Sequence, residues 1–205
     1  MAALVPPVIA SGSLSKVPQP VLAAEPDLVL RPWTRADAPM IVDAFSDPAV
    51  RHWSLRSVDS VAEAEQLIDG YAQGWQAESS ATWAVVTLAG EVLGRVALRA
   101  VDLEMGQGEV AYWMRPAARG RGAATAGVRA LNAWAFEAGF HRLWLIHSTR
   151  NEVSCRVAQK VGFMPEGTER SSIRHTDGWH DMHVHALINP SSEVGPAPRV
   201  GQAPV

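Results

Sequence analysis

The sequence is short of several features that mark particular classes of protein. It has one cysteine, Cys155, in 205 residues, which excludes an internal disulfide and a cluster of cysteine thiolates on a metal. Lysine and arginine number 18 against 21 acidic residues, so there is no basic excess for binding nucleic acid. No apolar run approaches the roughly 18 residues needed to cross a bilayer, and the first residues lack the basic flank of a secretory signal. These absences predict a cytoplasmic protein that binds neither nucleic acid nor membrane.

Proline is concentrated at the two ends of the chain. Nine of the fourteen prolines lie outside residues 27–189, in stretches rich in small residues. This composition is typical of extended, poorly ordered segments. Residues 1–26 and 190–205 are therefore predicted to be flexible tails around one domain over residues 27–189. Hydrophobic residues make up 47% of the chain and charged residues 19%, which is enough apolar surface for a core.

Within this domain, the spacing of apolar residues alternates between strand and helix patterns. Thr34 to Asp37 and Ser60 to Glu63 have the spacing of helix capping boxes. The predicted order is β-α-α-β-β-β-α-β-α-β-β, with helices over residues 34–45, 60–71, 122–138 and 152–161 and strands over residues 28–33, 82–88, 92–101, 109–114, 143–146, 163–170 and 181–188. This order predicts an α/β domain whose mixed central sheet carries helices on both faces.

A loop rich in glycine, alanine and arginine joins a strand to the helix predicted at residue 122. A helix N-terminus presents about four backbone N–H groups without intrahelical partners, together with the positive end of the helix dipole. Glycine lets phosphate oxygens approach these groups, and Arg119 and Arg121 add positive charge. A P-loop is excluded because the loop has no lysine, and a dinucleotide fingerprint fails because Thr125 stands where glycine is required. The loop predicts a site for a pyrophosphate or a nucleotide phosphate.

The same loop carries a family resemblance. Arg119-x-x-Gly122-x-Ala124 resembles the Q/R-x-x-G-x-G/A motif that binds the acyl-CoA pyrophosphate in GNAT (Gcn5-related) N-acetyltransferases. The similarity continues through the whole body, over about residues 28–188, and its later motifs resemble the ribosomal-protein N-acetyltransferase (RimJ/RimL-like) branch. Those motifs are the stretches over residues 108–114, 151–154, 161–163, 166–170 and 177–181.

The resemblance implies a GNAT fold that binds acetyl-CoA as co-substrate. In this fold the fourth and fifth strands splay apart and the pantetheine arm lies between them, where a backbone N–H of the fourth strand meets the acetyl carbonyl. The fourth strand here is residues 109–114. The residues that the resemblance places at CoA are Tyr112, Trp113, Met114, Arg119, Gly120, Arg121, Gly122, Ala123, Ala124, Asn151 and Ser154.

Three side chains are candidates for the chemistry. Acetyl transfer to an amine needs a neutral amine, a stabilised oxyanion and a proton for the departing thiolate. Glu109 is the candidate base, with an ion-paired strand carboxylate as the alternative. Ser154 matches the family position that donates to the CoA sulfur, with helix capping as the alternative. His185, where many relatives have tyrosine, is a second candidate acid or base, with a packed core histidine as the alternative.

The acceptor stays open at this point. The resemblance implies direct transfer to an amine in a ternary complex, and that amine is either a protein N-terminus or a small molecule. RimL-type enzymes have a catalytic glutamate where this chain has Ile173, so a non-catalytic acyl-CoA-binding sensor or interaction module is the alternative. The residues that the resemblance places at the acceptor are Arg51, His52, Trp53, Arg174, His175 and Trp179.

The histidines near the end of the chain also suggest a metal-binding hypothesis. On a strand, Asp181, His183 and His185 would share one face and form a possible ligand set. The family resemblance gives Asp181 a role without metal, so no metal is predicted. Cys155 has no base paired with it in the sequence and is expected to be inert. The length of the acyl group and the oligomeric state stay open.

Overall fold

A computed structural model describes residues 4–24 and 27–192 of the chain. Within these residues, eight strands form one sheet and five helices cover it. The strands are β1 (Leu22–Ala24), β2 (Leu28–Pro32), β3 (Ala81–Thr87), β4 (Val92–Asp102), β5 (Gln107–Met114), β6 (Arg142–Ser148), β7 (Met164–His175) and β8 (Gly178–Ile188). The helices are α1 (Ala38–Ser46), α2 (Pro48–Ser54), α3 (Val61–Gln76), α4 (Ala123–Glu137) and α5 (Glu152–Lys160). No helix in this described part is long and apolar enough to span a membrane.

The strands lie in the order β1-β2-β3-β4-β5-β6-β8-β7. Neighbouring strands are antiparallel except β5 and β6, which run parallel and are connected through α4. The helices α1 and α2 and most of α3 pack on one face of the sheet, the front face, while α4 and α5 pack on the other, the back face. The α/β class, with a mixed sheet and helices on both faces, is confirmed.

Alternation along β5 assigns its side chains to the two faces. Val110, Tyr112 and Met114 join the back-face core with α4 and α5. Trp113 joins the front-face core with α1 and α3. Because successive side chains of a strand point to opposite faces, Glu109 lies on the front face with Trp113.

The first predicted helix, over residues 34–45, is present mainly as α1, and a second short helix, α2, follows it. Asp47 is extended, with ψ of 122°, because Pro48 follows it and disfavours the helical conformation at the preceding residue. The Asp47 carboxylate accepts a hydrogen bond from the Val50 N–H at 2.9 Å and so begins α2. The sequence analysis did not predict α2, which carries the candidate acceptor residues His52 and Trp53.

The last two strands form a longer hairpin than predicted. Residues 171–180 were expected to include a loop, yet β7 continues to His175 and β8 begins at Gly178, which has a φ of 123°. The register shifts between Glu169 and Ile173, where β7 has more residues than β8, and the pairing resumes at Ile173 and His180. Trp179 therefore lies on a strand and Trp53 on a helix, although both were expected in loops.

Residues 4–24 pack on the domain, which differs from the predicted flexible tail over residues 1–26. The backbone N–H groups of Val8 and Ile9 donate to the carbonyls of Glu104 and Leu103, each at 3.0 Å. Ile9 and Leu14 are buried in the back-face core. β1 then pairs with β2, so the folded unit begins before residue 27.

Polar contacts also hold this N-terminal segment. The Glu78 carboxylate accepts backbone hydrogen bonds from Gly12, Leu14 and Ser15 at 2.6–3.0 Å. Burial alone would raise the pKa of Glu78, but these donors hold that pKa below its ordinary value. At the other end, Ser192 Oγ lies 2.8 Å from His141 Nδ1, and residues 193–205 of the predicted C-terminal tail lie outside the described residues.

Candidate active site

The centre of the sheet opens between β5 and β6. Within the described chain, the two strands pair over three positions, the last of which joins Glu109 to Trp144. Beyond that pair they diverge, so residues 110–114 have β4 as their strand neighbour on one side and a gap on the other. Backbone N–H and C=O groups of β5 that face this gap are available to a ligand. β5 and β6 thus correspond to the splayed fourth and fifth strands of the expected fold. Their numbers are higher by one because β1 was not among the predicted strands.

The glycine-rich loop lies where β5 leads into α4. Gly120 and Gly122 have φ values of 73° and 82°, a left-handed conformation that glycine adopts without steric cost. Gly122 is the N-cap of α4, and no side chain in the described residues caps this helix start. A Cβ built on Gly122 meets no heavy atom within 4 Å. The first N–H groups of α4 are therefore open to an anion.

A groove of about 1110 Å³ runs along the start of α4. Arg121, Gly122, Ala123, Arg129 and Lys160 are among its lining residues. The three cations give the groove the charge that phosphate groups require. Tyr112 and Ser154 do not line it, so it covers the loop end of the site and not the reacting end.

Arg119 has a different position from the one expected. Its guanidinium forms two hydrogen bonds with the Asp47 carboxylate, at 2.8 and 3.3 Å. The pKa of Asp47 is lowered by this contact with Arg119. In the structure Arg119 therefore joins the glycine-rich loop to the start of α2, while Arg121 lines the groove.

Tyr112 and Ser154 meet across the space between β5 and α5. The Tyr112 hydroxyl lies 2.9 Å from Ser154 Oγ. Asn151 is the N-cap of α5, and its side-chain oxygen accepts from the Ser154 N–H at 3.1 Å. The Ser154 hydroxyl is thereby left to bond Tyr112. Burial raises the pKa of Tyr112 to about 12, so the phenol keeps its proton at neutral pH.

The side chain of Tyr112 was missed by sequence reasoning, which placed only backbone contacts at residues 112–114. Trp113 and Met114 fit that expectation, because their side chains are buried in the front-face and back-face cores. One signal was present: Tyr112 is one of two tyrosines, on a strand whose alternation puts it on the same face as the later helix.

The two candidate bases lie on opposite faces of the sheet. Glu109 is on the front face, and its carboxylate contacts the Arg99 guanidinium at 2.5 Å on the neighbouring strand. The Glu109 side chain is 13% exposed. His185 pairs with Leu145 on the back face, where it is buried behind α5. Glu109 and His185 therefore cannot both accept a proton from the same amine.

Three of the candidate acceptor residues meet on the front face: His52, Trp53 and His175. His175 Nδ1 lies 3.2 Å from the His52 carbonyl, and the rings of His52 and Trp53 pack at 4.4 Å between centroids. Burial lowers the pKa of His175, and the nearby His180 lowers it further. We call the group formed by His52, Trp53, His175 and His180 the front wall.

The other three candidates are not part of the front wall. Arg51 contacts Asp59 and the Phe45 carbonyl within its own region. Arg174 and Trp179 lie opposite each other on β7 and β8, and both are exposed. The structure therefore brings His52, Trp53 and His175 together on the front face, whereas alternation puts Arg174 and Trp179 on the opposite face of the hairpin from His175 and His180, and Arg51 is held by internal contacts.

The front wall is supported by a chain of hydrogen bonds that the sequence did not reveal. Ser148, the last residue of β6, lies 2.8 Å from His180 Nδ1, and His180 Nε2 lies 2.8 Å from Asp177. Arg150 contacts Asp177 at 3.0 Å. Ile173 pairs with His180, so the position without the expected glutamate borders this chain. These contacts join residues up to 32 positions apart, and no local pattern signals them.

Comparisons with known proteins agree with this geometry. A family model described as an acetyltransferase (GNAT) domain matches residues 27–164. The chain is 26% identical over 166 residues to the uncharacterized N-acetyltransferase YoaA of Bacillus subtilis (strain 168), which covers 80% of this chain and 94% of that protein.

Solved structures share the fold at low sequence identity. One is RimL, a ribosomal L7/L12 alpha-N-protein acetyltransferase in complex with coenzyme A, with a TM-score of 0.74, 19% identity and coverage of 82% of this chain and 98% of that one. Another is the ribosomal-protein-S5-alanine acetyltransferase of Vibrio fischeri, with a TM-score of 0.76, 20% identity and coverage of 84% and 98%. Because the family model spans more than half of the sequence, the chain belongs to the GNAT acetyltransferase family and is an acyl-CoA-dependent N-acyltransferase with acetyl-CoA as its co-substrate.

Proposed function

We propose that this protein transfers an acetyl group from acetyl-CoA directly to the N-terminal amine of a protein, in a ternary complex in the cytoplasm. The observation that carries the proposal is the gap between β5 and β6, which has an uncapped helix start at one end and the Tyr112–Ser154 pair beside it. The acceptor class is the part that the comparisons leave open.

The free edge of β5 and the glycine-rich loop are suited to binding acetyl-CoA. The unpaired edge of residues 110–114 suits an extended amide-bearing arm, because that arm supplies the strand hydrogen bonds that β6 does not. Gly120, Gly122 and the first turn at Ala123 and Ala124 would hold the pyrophosphate, with Arg121 adding charge. Acetyl-CoA supplies the activated acetyl group, which its thioester makes reactive towards an amine.

The chain's own groups supply the remaining requirements. Backbone N–H groups of β5 that face the gap would donate to the acetyl oxygen as negative charge develops there. Tyr112, kept protonated by burial, and Ser154 hold a proton near the position of the departing sulfur. Glu109, on the front face where β5 and β6 begin to diverge, would accept the proton of the amine.

A protein N-terminus suits the front of the site. Trp53, which packs against His52 and His175 in the front wall, is 37% exposed, and such an indole surface favours contact with a peptide chain. RimL and the S5-alanine enzyme, which share the fold, are named for protein N-termini. A small-molecule amine is the alternative acceptor.

The test is product analysis by mass spectrometry. The protein would be given acetyl-CoA with short peptides that begin with serine or alanine, the same peptides with a blocked N-terminus, and a panel of polyamines and aminoglycosides. We expect one acetyl group on the α-amine of the free peptides and none on the blocked ones. Faster acetylation of a small amine would identify the alternative acceptor, and CoA binding without any product would identify a binding module.

A matched pair of variants separates chemistry from folding in the same assay. Glu109→Gln should lower kcat by about 10²–10⁴-fold, the usual range for a positioned acid–base group. Arg99→Gln breaks the same ion pair but keeps the Glu109 carboxylate, so it should lower kcat much less than Glu109→Gln does. Equal losses in the two variants would show that Glu109 is a structural carboxylate.

A further inference from the structure

Four side chains that the acetyl transfer does not use meet on the back face. His147 lies on β6, His183 and His185 lie on β8, and Cys155 lies on α5. The β6–β8 register sets His147 opposite His183, and alternation along β8 returns His185 to the same face. One nitrogen or sulfur atom from each of the four lies within 4.8 Å of the others.

We propose that His147, Cys155, His183 and His185 bind one Zn²⁺ ion in a tetrahedral site. Three imidazoles and one thiolate are ligands that Zn²⁺ prefers, and four ligands complete its usual structural coordination. The set contains no carboxylate oxygen, which disfavours Mg²⁺ and Ca²⁺. Asp181, the third member of the ligand set considered from the sequence, instead accepts the Ser171 N–H at 2.8 Å.

The contact between His147 and His185 supports this assignment. His147 Nδ1 lies 2.9 Å from the Ser148 carbonyl, which only accepts, so Nδ1 carries the hydrogen and Nε2 presents its lone pair. His185 Nε2 lies 3.2 Å from that lone pair. A tetrahedron with metal–nitrogen bonds of about 2.0–2.1 Å has nitrogen–nitrogen edges of about 3.3–3.4 Å, which matches this separation. The Ser148 carbonyl also orients His147 as outer partners of metal-bound imidazoles do.

The buried pair of His147 and His185 does not have a hydrogen-bond partner for every ring nitrogen. His185 is 2% exposed, and its Nδ1 has no hydrogen-bond partner among the described residues. Burial lowers the pKa of His147 and of His185, and neighbouring histidines of the cluster lower both further. Cys155 and His183 are half-buried and connect the cluster to solvent.

A second group of possible metal ligands in the described chain lies on the front face. His52, Asp177 and His180 also place ligand atoms within 4.8 Å of one another. Both ring nitrogens of His180 already have close partners, in Ser148 and Asp177. His180 thus has a hydrogen-bond partner at each ring nitrogen, whereas in the back-face cluster the Nε2 atoms of His147 and His185 face each other.

The ion would connect α5 to the sheet. Cys155 directly follows Ser154 in the first turns of α5, and the three histidines come from β6 and β8. Binding releases the thiol proton of Cys155 to solvent and fixes the helix that carries Ser154. The role of the ion is therefore structural and lies next to the reacting groups without touching them.

Equilibrium dialysis of the untagged, EDTA-treated full chain against buffered Zn²⁺ tests the proposal. We expect one Zn²⁺ per chain, and Cys155→Ser and His183→Gln should each weaken binding by about 100-fold or more, as loss of one of four ligands from a structural site. Zn²⁺ should also raise the Tm of the wild-type chain and not that of Cys155→Ser. Co²⁺ in place of Zn²⁺ should give a thiolate charge-transfer absorption that Cys155→Ser abolishes.

Two further histidine variants serve as controls. His141→Gln changes a histidine outside both clusters, and His180→Gln changes the front-face cluster, so both should retain the stoichiometry and affinity of the wild type. The proposal is overturned if no stoichiometric Zn²⁺ binds, if Cys155→Ser and His183→Gln bind as tightly as the wild type, or if His180→Gln alone loses the ion. Circular dichroism of each variant confirms that the fold is retained.

Discussion

Tyr112 shows how one side chain acquires a function from its surroundings. The phenol is buried in the back-face core, yet its oxygen reaches Ser154 on a helix 42 residues later. Because burial raises its pKa to about 12, Tyr112 is a hydrogen-bond donor throughout the physiological range. The Ser154 hydroxyl is free to share a hydrogen bond with Tyr112 because Asn151 caps the helix.

Removing the Tyr112 hydroxyl should therefore slow the reaction without preventing folding. We expect Tyr112→Phe to lower kcat by about 10²-fold, the lower end of the range for a positioned acid, with little change in CoA affinity. Steady-state kinetics and calorimetric titration with CoA measure the two effects. Since the pKa is about 12, the wild-type kcat should show no alkaline loss from this group below about pH 11.

The other tyrosine provides the matched control for this variant. The Tyr71 hydroxyl is buried in α3 and has no hydrogen-bond partner among the described residues. Tyr71→Phe removes the same atom from a front-face core position and should keep kcat near the wild-type value. Equal kcat in Tyr112→Phe and in the wild type would remove Tyr112 from the reaction.

At the scale of elements, the start of α4 depends on backbone conformation more than on side chains. Gly122 adopts a φ of 82° and leaves open space where a Cβ would stand, in a groove lined by Arg121. The loop arginine of the family motif, Arg119, is engaged with Asp47 of α2. The anion site of this element is thus formed by the helix start and Arg121, and Arg119 positions the loop.

Gly122→Ala should therefore weaken CoA binding by about 10- to 100-fold, the loss of one or two charge-assisted hydrogen bonds. The added methyl group would occupy the space that a phosphate oxygen needs. Gly90→Ala is the matched control, because Gly90 has a φ of 86° and equally open space around its Cβ but does not line the groove. Both variants should lose similar stability, about 1–2 kcal/mol for a left-handed alanine. Equal CoA affinity in the two variants, measured by calorimetry, would contradict the assignment.

At the scale of the whole molecule, the N-terminal segment completes the back-face core. Ile9 and Leu14 are buried there, and the indole N–H groups of Trp75 and Trp83 donate to carbonyls of Val17 and Pro20 at 3.1 and 2.8 Å. Without the segment, two indoles lose their partners and apolar core surface is exposed.

Deletion of residues 1–20 should consequently destabilise the protein. Burial of Ile9 and Leu14 contributes about 1.5–3 kcal/mol each, so we expect a loss of about 3–6 kcal/mol. Thermal unfolding should show a Tm lower by about 10 °C or more. Deletion of residues 1–7, which ends before the first backbone hydrogen bond at Val8, is the control and should leave the Tm nearly unchanged. A deletion of residues 1–20 that melts with the wild type would show that the segment is dispensable.

Local signals in the sequence were sufficient for the class of fold and for the loop at α4. Helix and strand periodicity, the capping spacing at Ser60 and the glycines before residue 123 each depend on neighbours within a few residues. The hydrogen bond of Ser60 to the Glu63 N–H, at 3.2 Å, is the contact that such a spacing predicts. The resemblance to a family then supplied the splayed strands and the co-substrate.

The tertiary structure alone decided the contacts between distant residues. The burial of Ile9 depends on a surface built by the sheet and α4, and the Arg119–Asp47 pair depends on where α2 begins against the loop. The cluster of His147, Cys155 and His185 requires the register of β6 on β8 and the packing of α5. Register and packing are set by the free energy of the whole core, so no short stretch of sequence carries them.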